Sequence, residues 1–246
     1  MKASADLLAR LQRMMPSGIQ PKFSTTEEWL AFQRAEGDKR GEKLERENLK
    51  ARSERILGRS GICDLHRKCT FANYDVQNDG QRQALSKAKS FAQNFGMGFG
   101  SFVFSGGCGT GKNHLAAAIG NHLLAKGHTV LVVTVPDLML RVRECYDSGQ
   151  SEASLLDDLC RVDLLVLDEV GVQRETRSEW VVLNQVIDRR LAAMKPVGVL
   201  TNLNYEELTK TLGERVMDRL TMDGGIWVPF TWGSFRKNVT HLRVVK

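Results

Sequence analysis

The stretch Ser101-Phe-Val-Phe-Ser-Gly-Gly-Cys-Gly-Thr-Gly-Lys-Asn-His-Leu115 runs from an apolar strand through a glycine-rich loop into a helix. Gly106 to Lys112 is the G-x4-G-K core of a phosphate-binding loop, and it lies in the strand–loop–helix setting that such a loop requires. Gly106, Gly107, Gly109 and Gly111, with Cys108 and Thr110 between them, let backbone N–H groups close around a β-phosphate. The helix that opens at Lys112 adds the positive end of its dipole, and the Lys112 ammonium adds a point charge for the β- and γ-phosphates. The segment through His114 is therefore expected to hold ATP. Asn113 stands where a Mg2+-binding Ser or Thr usually follows the lysine. An amide oxygen can still ligate a hard cation, so Asn113 is expected to help hold Mg2+, with slow turnover.

Working outward, Thr129–Val133, Leu164–Leu167 and Val197–Thr201 are further short apolar runs separated by helical stretches. Continuous apolar strands alternating with helices predict an α/β fold with a central parallel sheet covered on both faces. The Leu164–Leu167 run leads into Asp168-Glu169, two acids at a strand's C-terminal end. Asp168 is expected to hold Mg2+ through water, and Glu169 to orient or deprotonate the attacking water. Asn202 closes the next run and is placed to position that water. Arg215 and Arg219 lie four apart on one helix face, where a guanidinium can reach a neighbouring subunit's γ-phosphate; Arg219 is the first choice and Arg215 the second. Arg236 is the candidate for a second sensing arginine, acting in cis.

The 246 residues bound the fold to one large domain, or to one domain with a small addition. Hydrophobic residues at 42% and charged residues at 26% exclude collagenous, disulfide-scaffold and wholly disordered classes. No run reads as a membrane span, and Asp6, Arg10 and Arg13 interrupt any secretory signal, so a cytoplasmic protein is expected. Five dispersed cysteines point to reduced thiols. Cys63, His66 and Cys69 are three potential zinc ligands with no evident fourth. The net charge of +6 is uneven: residues 1–60 carry 13 basic and 9 acidic side chains, residues 224–246 carry four basic and none acidic, and the body between is slightly acidic. Basic margins around such a body suit a polyanion partner or a solvated surface equally.

Leu7, Leu8, Leu11, Met14 and Met15 recur at helical spacing before Pro16-Ser17-Gly18, and Ser24-Thr25-Thr26 opens a second short helix bearing Trp29, Leu30 and Phe32. This is too little material for its own core, so its apolar residues must pack on each other, on the body or on a partner. Residues 37–55 hold 12 charged residues of both signs and read as a solvated connector helix.

The order Gly106–Lys112, Leu164–Glu169, Asn202 and the arginine pair is that of the AAA+ ATPases. Within them the chain resembles the bacterial DnaC-type replicative helicase loaders through Leu65-His-x-x-Cys-Thr-Phe71-x-Asn-Tyr74, Gly109–Leu115, Val166–Gln173 and Gly213–Arg219. Leu11-Gln-Arg-Met-Met-Pro16 and Leu44-Glu-Arg-Glu-Asn48 extend the likeness over nearly the whole chain, and Asn113 is shared with that family. The resemblance implies residues 1–55 as a helical helicase-binding region with a charged linker, and residues 56–246 as the ATPase domain. Leu11, Met14, Trp29 and Phe32 would meet a hexameric DnaB-type helicase. The ATPase body would self-assemble into a spiral, with Phe71 to Tyr74 near the adenine. Single-stranded DNA would follow the inner face, reached by a helical insertion near Leu138–Ser148, with Tyr146 offering a stacking ring and Thr176 and Ser178 phosphate contacts. A transposase-helper ATPase of the IstB type, binding duplex DNA, stays open as the alternative, as does an ATP-responsive adaptor that does not hydrolyse.

Overall fold

The computed structural model describes residues 23, 25–57, 61–148, 151–171 and 177–235. Two compact units meet in sequence at Glu45 and Arg46. Helix α1, Thr26–Leu57, starts at the expected signal: the Thr25 hydroxyl accepts the Glu28 N–H at 3.2 Å, and the Thr25 carbonyl accepts the Trp29 N–H. Where a short helix and a separate connector are expected, one 32-residue helix carries both. Gly37 and Gly41 each weaken it by only about 1 kcal/mol, and no proline interrupts it. Its apolar residues do not gather on one face, and Trp29, Leu30, Phe32 and Leu44 are exposed.

In the second unit, strands β1 (Phe102–Gly106), β2 (Val130–Thr134), β3 (Leu164–Val170), β4 (Val197–Thr201) and β5 (Ile226–Phe230) form one parallel sheet in the order β2-β3-β4-β1-β5. Four strands coincide with the expected apolar runs. The fifth does not, because Pro229 breaks its pattern; it is an edge strand, where a residue without an N–H is tolerated. The helices are α2 (Asp79–Gln93), α3 (Lys112–Ala125), α4 (Val135–Ser148), α5 (Glu152–Arg161), α6 (Arg177–Ala192), α7 (Tyr205–Leu212) and α8 (Glu214–Thr221).

Side chains alternate across the sheet as strand geometry dictates. Phe102, Phe104, Leu164, Val166 and Leu200 join Ala84, Ala88, Leu115 and Ile119 from α2 and α3 in one core. Val103, Leu165, Leu167, Val197 and Val199 join α4, α5, α6 and α8 in the other. The sheet is therefore buried on both faces, as a parallel sheet must be. Asn78 and Gln81 form a capping box at the start of α2, and Asn204 and Glu207 form another at α7.

Arg190 on α6 is fully buried and makes no ion pair among the described residues. It donates instead to the carbonyls of Leu159, Val162, Asp163 and Pro196 at 2.7 to 3.1 Å, which locks α6 to the entries of β3 and β4. Burial lowers its pKa to about 10, opposed by Cys160 and Asp163, and the group stays charged at neutral pH. All five cysteines are free. Of the three potential zinc ligands, Cys63 Sγ meets His66 Nδ1 at 3.1 Å, while Cys69 is buried beside Ile62 and Ala117. No group of three metal-ligating side chains occurs among the described residues, nor does any described helix have the length and apolarity to cross a membrane.

Candidate nucleotide site

The sheet order sets β3, β4 and β1 side by side, so the residues at their C-terminal ends converge at the edge where α/β folds bind ligands. Gly106 ends β1 at φ 148°, and a Cβ there would lie 2.2 Å from the Phe230 carbonyl, so only glycine can start the loop against β5. Gly111, at φ 99°, turns the loop into α3, whose first residue is Lys112. The Lys112 ammonium donates to the carbonyls of Gly106 and Gly107 at 2.5 and 2.8 Å and to Asn202 Oδ1 at 3.0 Å. Burial lowers its pKa, against the opposing pull of Cys108 and Asp168. Asn202 also donates to Cys108 Sγ at 3.5 Å, so loop, lysine and strand end form one contact set.

Asn113 donates to Asp168 Oδ2 at 2.5 Å, and Asp168 Oδ1 accepts the Glu169 N–H at 2.7 Å. Strand β3 does not end at the acids, as the apolar run implies, but continues to Val170 through a bulge against β4 between Leu167 and Val170. Within that bulge Glu169 takes φ 59°, unusual for a residue with a side chain, and stays exposed while Asp168 is half-buried. The bulge thus gives adjacent acids different surroundings. Asp168 and Asn113 supply hard oxygen donors side by side, once the amide turns its oxygen forward, and this donor chemistry fits a Mg2+ that keeps several waters.

Four residues that are not among the expected site residues brace the site. Thr201 Oγ1 donates to the Val170 carbonyl at 2.7 Å and accepts the Leu203 N–H at 3.0 Å, while Ser105 donates to the Leu203 carbonyl at 2.5 Å. Together they fix the turn that carries Asn202. After β5, Trp232 Nε1 donates to the Thr110 carbonyl at 2.8 Å and the Phe235 N–H to the Gly109 carbonyl at 2.9 Å, so this segment closes over the loop. A hydroxyl ending a strand, or a tryptophan soon after one, carries no distinctive spacing that would have revealed these contacts.

Beside the loop a cavity of about 250 Å³ opens between Tyr74, Gln81, Gly109 to His114 and Phe235. Tyr74 is buried, its ring edge-on to His114 at 5.3 Å, and burial pushes its phenol pKa up to about 12. Phe71 does not line this cavity; its ring lies 5.9 Å from that of His122 and packs with the α2–α3 core. The His114 Nε2–H donates toward the Thr70 carbonyl and Asn73 Oδ1, both 3.1 Å away, tying the segment before α2 to the loop helix. A second cavity, about 400 Å³, borders Asn113 and Asp168 from the side of β2 and α4 and includes Leu140, Arg141 and Glu144.

The remaining expected residues lie elsewhere. Arg219 Nη1 contacts Asp188 Oδ1 at 2.7 Å and Arg215 Nη2 contacts Asp188 Oδ2 at 3.6 Å, both from α8 to α6. Trp29 and Phe32 are on α1, the latter ring 4.9 Å from that of Phe23. Tyr146 falls on α4 and Ser178 on α6, with side chains outside the described residues; Leu11, Met14, Thr176 and Arg236 lie outside them altogether.

A family model described as IstB-like ATP binding protein matches residues 31–237. The chain is 56% identical to the protein YdaV of Escherichia coli (strain K12), over 99% of this chain and 98% of the relative. It is 52% identical to the replicative helicase loader DnaC of the same organism, over 98% of each. Among solved structures, a crystal structure of the DnaC helicase loader aligns with a TM-score of 0.61 at 24% identity, over 68% of this chain and 99% of that one.

Proposed function

The chain belongs to the IstB-like ATP-binding family and, within it, to the DnaC-type replicative helicase loaders, and we propose that it is an ATP-hydrolysing loader. Its role is helicase loading in replication initiation or restart. Residues 1–55 bind a hexameric DnaB-type helicase, with Leu11, Met14, Trp29 and Phe32 as contacts. Residues 56–246 bind ATP, assemble into a spiral and contact single-stranded DNA through Tyr146, Thr176 and Ser178. ATP and DNA favour the assembled form that holds the helicase ring open, and hydrolysis times the loader's release.

The observation that carries this reading is the convergence of Lys112, Asn113, Asp168 and Asn202 at three adjacent strand ends, with Glu169 turned outward beside them. Loop amides from Gly106 to Lys112 and the Lys112 ammonium bind the phosphates. Asn113 and Asp168 would hold Mg2+, which when bound would draw charge from the phosphate oxygens. Asn202 orients the attacking water and Glu169 takes its proton; Arg219 or Arg215 of a neighbouring copy neutralises charge on the γ-phosphate. Tyr74 lines the base side of the same cavity.

ATP hydrolysis by the full chain, with and without single-stranded DNA, tests the reading directly. Wild type is expected to show DNA-stimulated turnover, and Glu169→Gln to bind ATP while losing turnover by at least ~10²-fold. Absence of turnover under both conditions leaves only the ATP-responsive adaptor. The IstB description supports a second reading, a transposase helper: stable bending of duplex DNA without capture of a DnaB-type helicase would favour it over the loader.

A further inference from the structure

We propose that Asp188 is the positioning residue of the arginine pair: it sets the orientation in which Arg219 and Arg215 are offered to the nucleotide of a neighbouring copy. The proposal rests on the reading of those arginines as trans-acting. One carboxylate serves both guanidiniums, Oδ1 facing Arg219 Nη1 at 2.7 Å and Oδ2 facing Arg215 Nη2 at 3.6 Å. Two guanidiniums four residues apart on one helix repel each other, and a carboxylate between them removes that repulsion while one net positive charge remains to be presented. The group is graded outward. The Asp188 and Arg219 side chains are each 30% exposed and Arg215 is 73% exposed, so the triad runs from the seam between α6 and α8 into solvent.

The backbones on both sides are already fixed. On α6, Leu183, Val186 and Ile187 are fully buried, and Arg190, two residues past Asp188, is held by four carbonyls. On α8, Val216, Met217 and Leu220 are buried, which leaves Arg215 and Arg219 on the outer edge of the helix. What stays free is arginine rotamer choice, and Asp188 restricts it before the neighbour arrives. A displacement of about 1 Å in a charge-stabilising group costs up to ~10²-fold in rate, so an orienting carboxylate is expected to act on turnover rather than on nucleotide affinity.

Subunit mixing separates this role from a plain helix-to-helix tie. Full-length Arg215→Ala/Arg219→Ala chain keeps its nucleotide site and lacks the pair; Lys112→Ala chain keeps the pair and lacks turnover. Mixed with single-stranded DNA and ATP, the second is expected to restore hydrolysis in the first. A donor carrying Lys112→Ala with Asp188→Asn should restore about tenfold to a hundredfold less. One with Asp188→Glu should recover most of the effect, with KM for ATP and thermal midpoints equal across donors. Full restoration by the Asp188→Asn donor overturns the proposal. A lowered thermal midpoint in that donor, without rescue by Asp188→Glu, also overturns it, since the contact would then be structural. If the double arginine variant hydrolyses like wild type, or the Lys112→Ala donor restores nothing, the trans reading itself falls and takes the proposal with it.

Discussion

Tyr74 illustrates what surroundings do to a single side chain at this site. Its hydroxyl is beside the phosphate loop, close enough to Gly111 that a Cβ there would lie 3.1 Å from the phenol oxygen. Burial raises the phenol pKa from 10.0 to about 12, because the phenolate would lose its hydration there. The folded protein therefore resists loss of this proton; the resulting stability is complete below pH 10 and is lost as pH rises through about 12. The chain has three tyrosines, and ultraviolet titration of the folded protein is expected to show one ionising well above the normal range. Tyr74→Phe should abolish that late step and leave the others; ionisation of every tyrosine near pH 10 would contradict the burial argument. Residue identities at the centre of the site were readable directly, because Lys112 ends a glycine-rich loop and Asp168 and Asn202 each follow an apolar run. The left-handed turn at Glu169 was not, since a bulge depends on what β4 offers across the sheet.

At the scale of elements, the pairing of β1 with β4 depends on one missing side chain. Phe102 lies opposite Gly198, and a Cβ on that glycine would sit 2.3 Å from the tip of the Phe102 ring. Gly198→Ala is expected to lower stability by about 1–3 kcal/mol through overpacking. Combining it with Phe102→Leu should cost less than the sum of the two single changes, with coupling on the order of 1 kcal/mol in urea unfolding. Strict additivity would show that the ring moves aside freely. Strand and helix runs around the loop were legible because apolar periodicity reports burial, whereas β5 was hidden by Pro229, whose tolerance follows only from its edge position. The length of α1 was hidden for a related reason. Charged and apolar stretches look like different segments, yet helix continuity depends only on backbone hydrogen bonds, which both support.

For the molecule as a whole, the chain divides into two compact units at Glu45 and Arg46. Trp29 and Phe32 expose aromatic surface on α1, and aromatic anchors dominate the energetics of protein interfaces. Trp29→Ala with Phe32→Ala is expected to weaken capture of a DnaB-type helicase at least ~10²-fold while ATP affinity and the unfolding midpoint stay unchanged. Undiminished capture in a pull-down would place the helicase contact elsewhere. The sequence by itself determined the fold class, the phosphate loop and the acidic strand end, because these depend on residue types at short, fixed spacings. Tertiary structure alone decided which distant residues meet: Asn202 with Lys112, Trp232 with the loop carbonyls, Arg190 with four carbonyls, and Asp188 with both arginines. Those contacts arise where the sheet order brings separate strand ends and helices together, and no local pattern of residues encodes which partners will meet there.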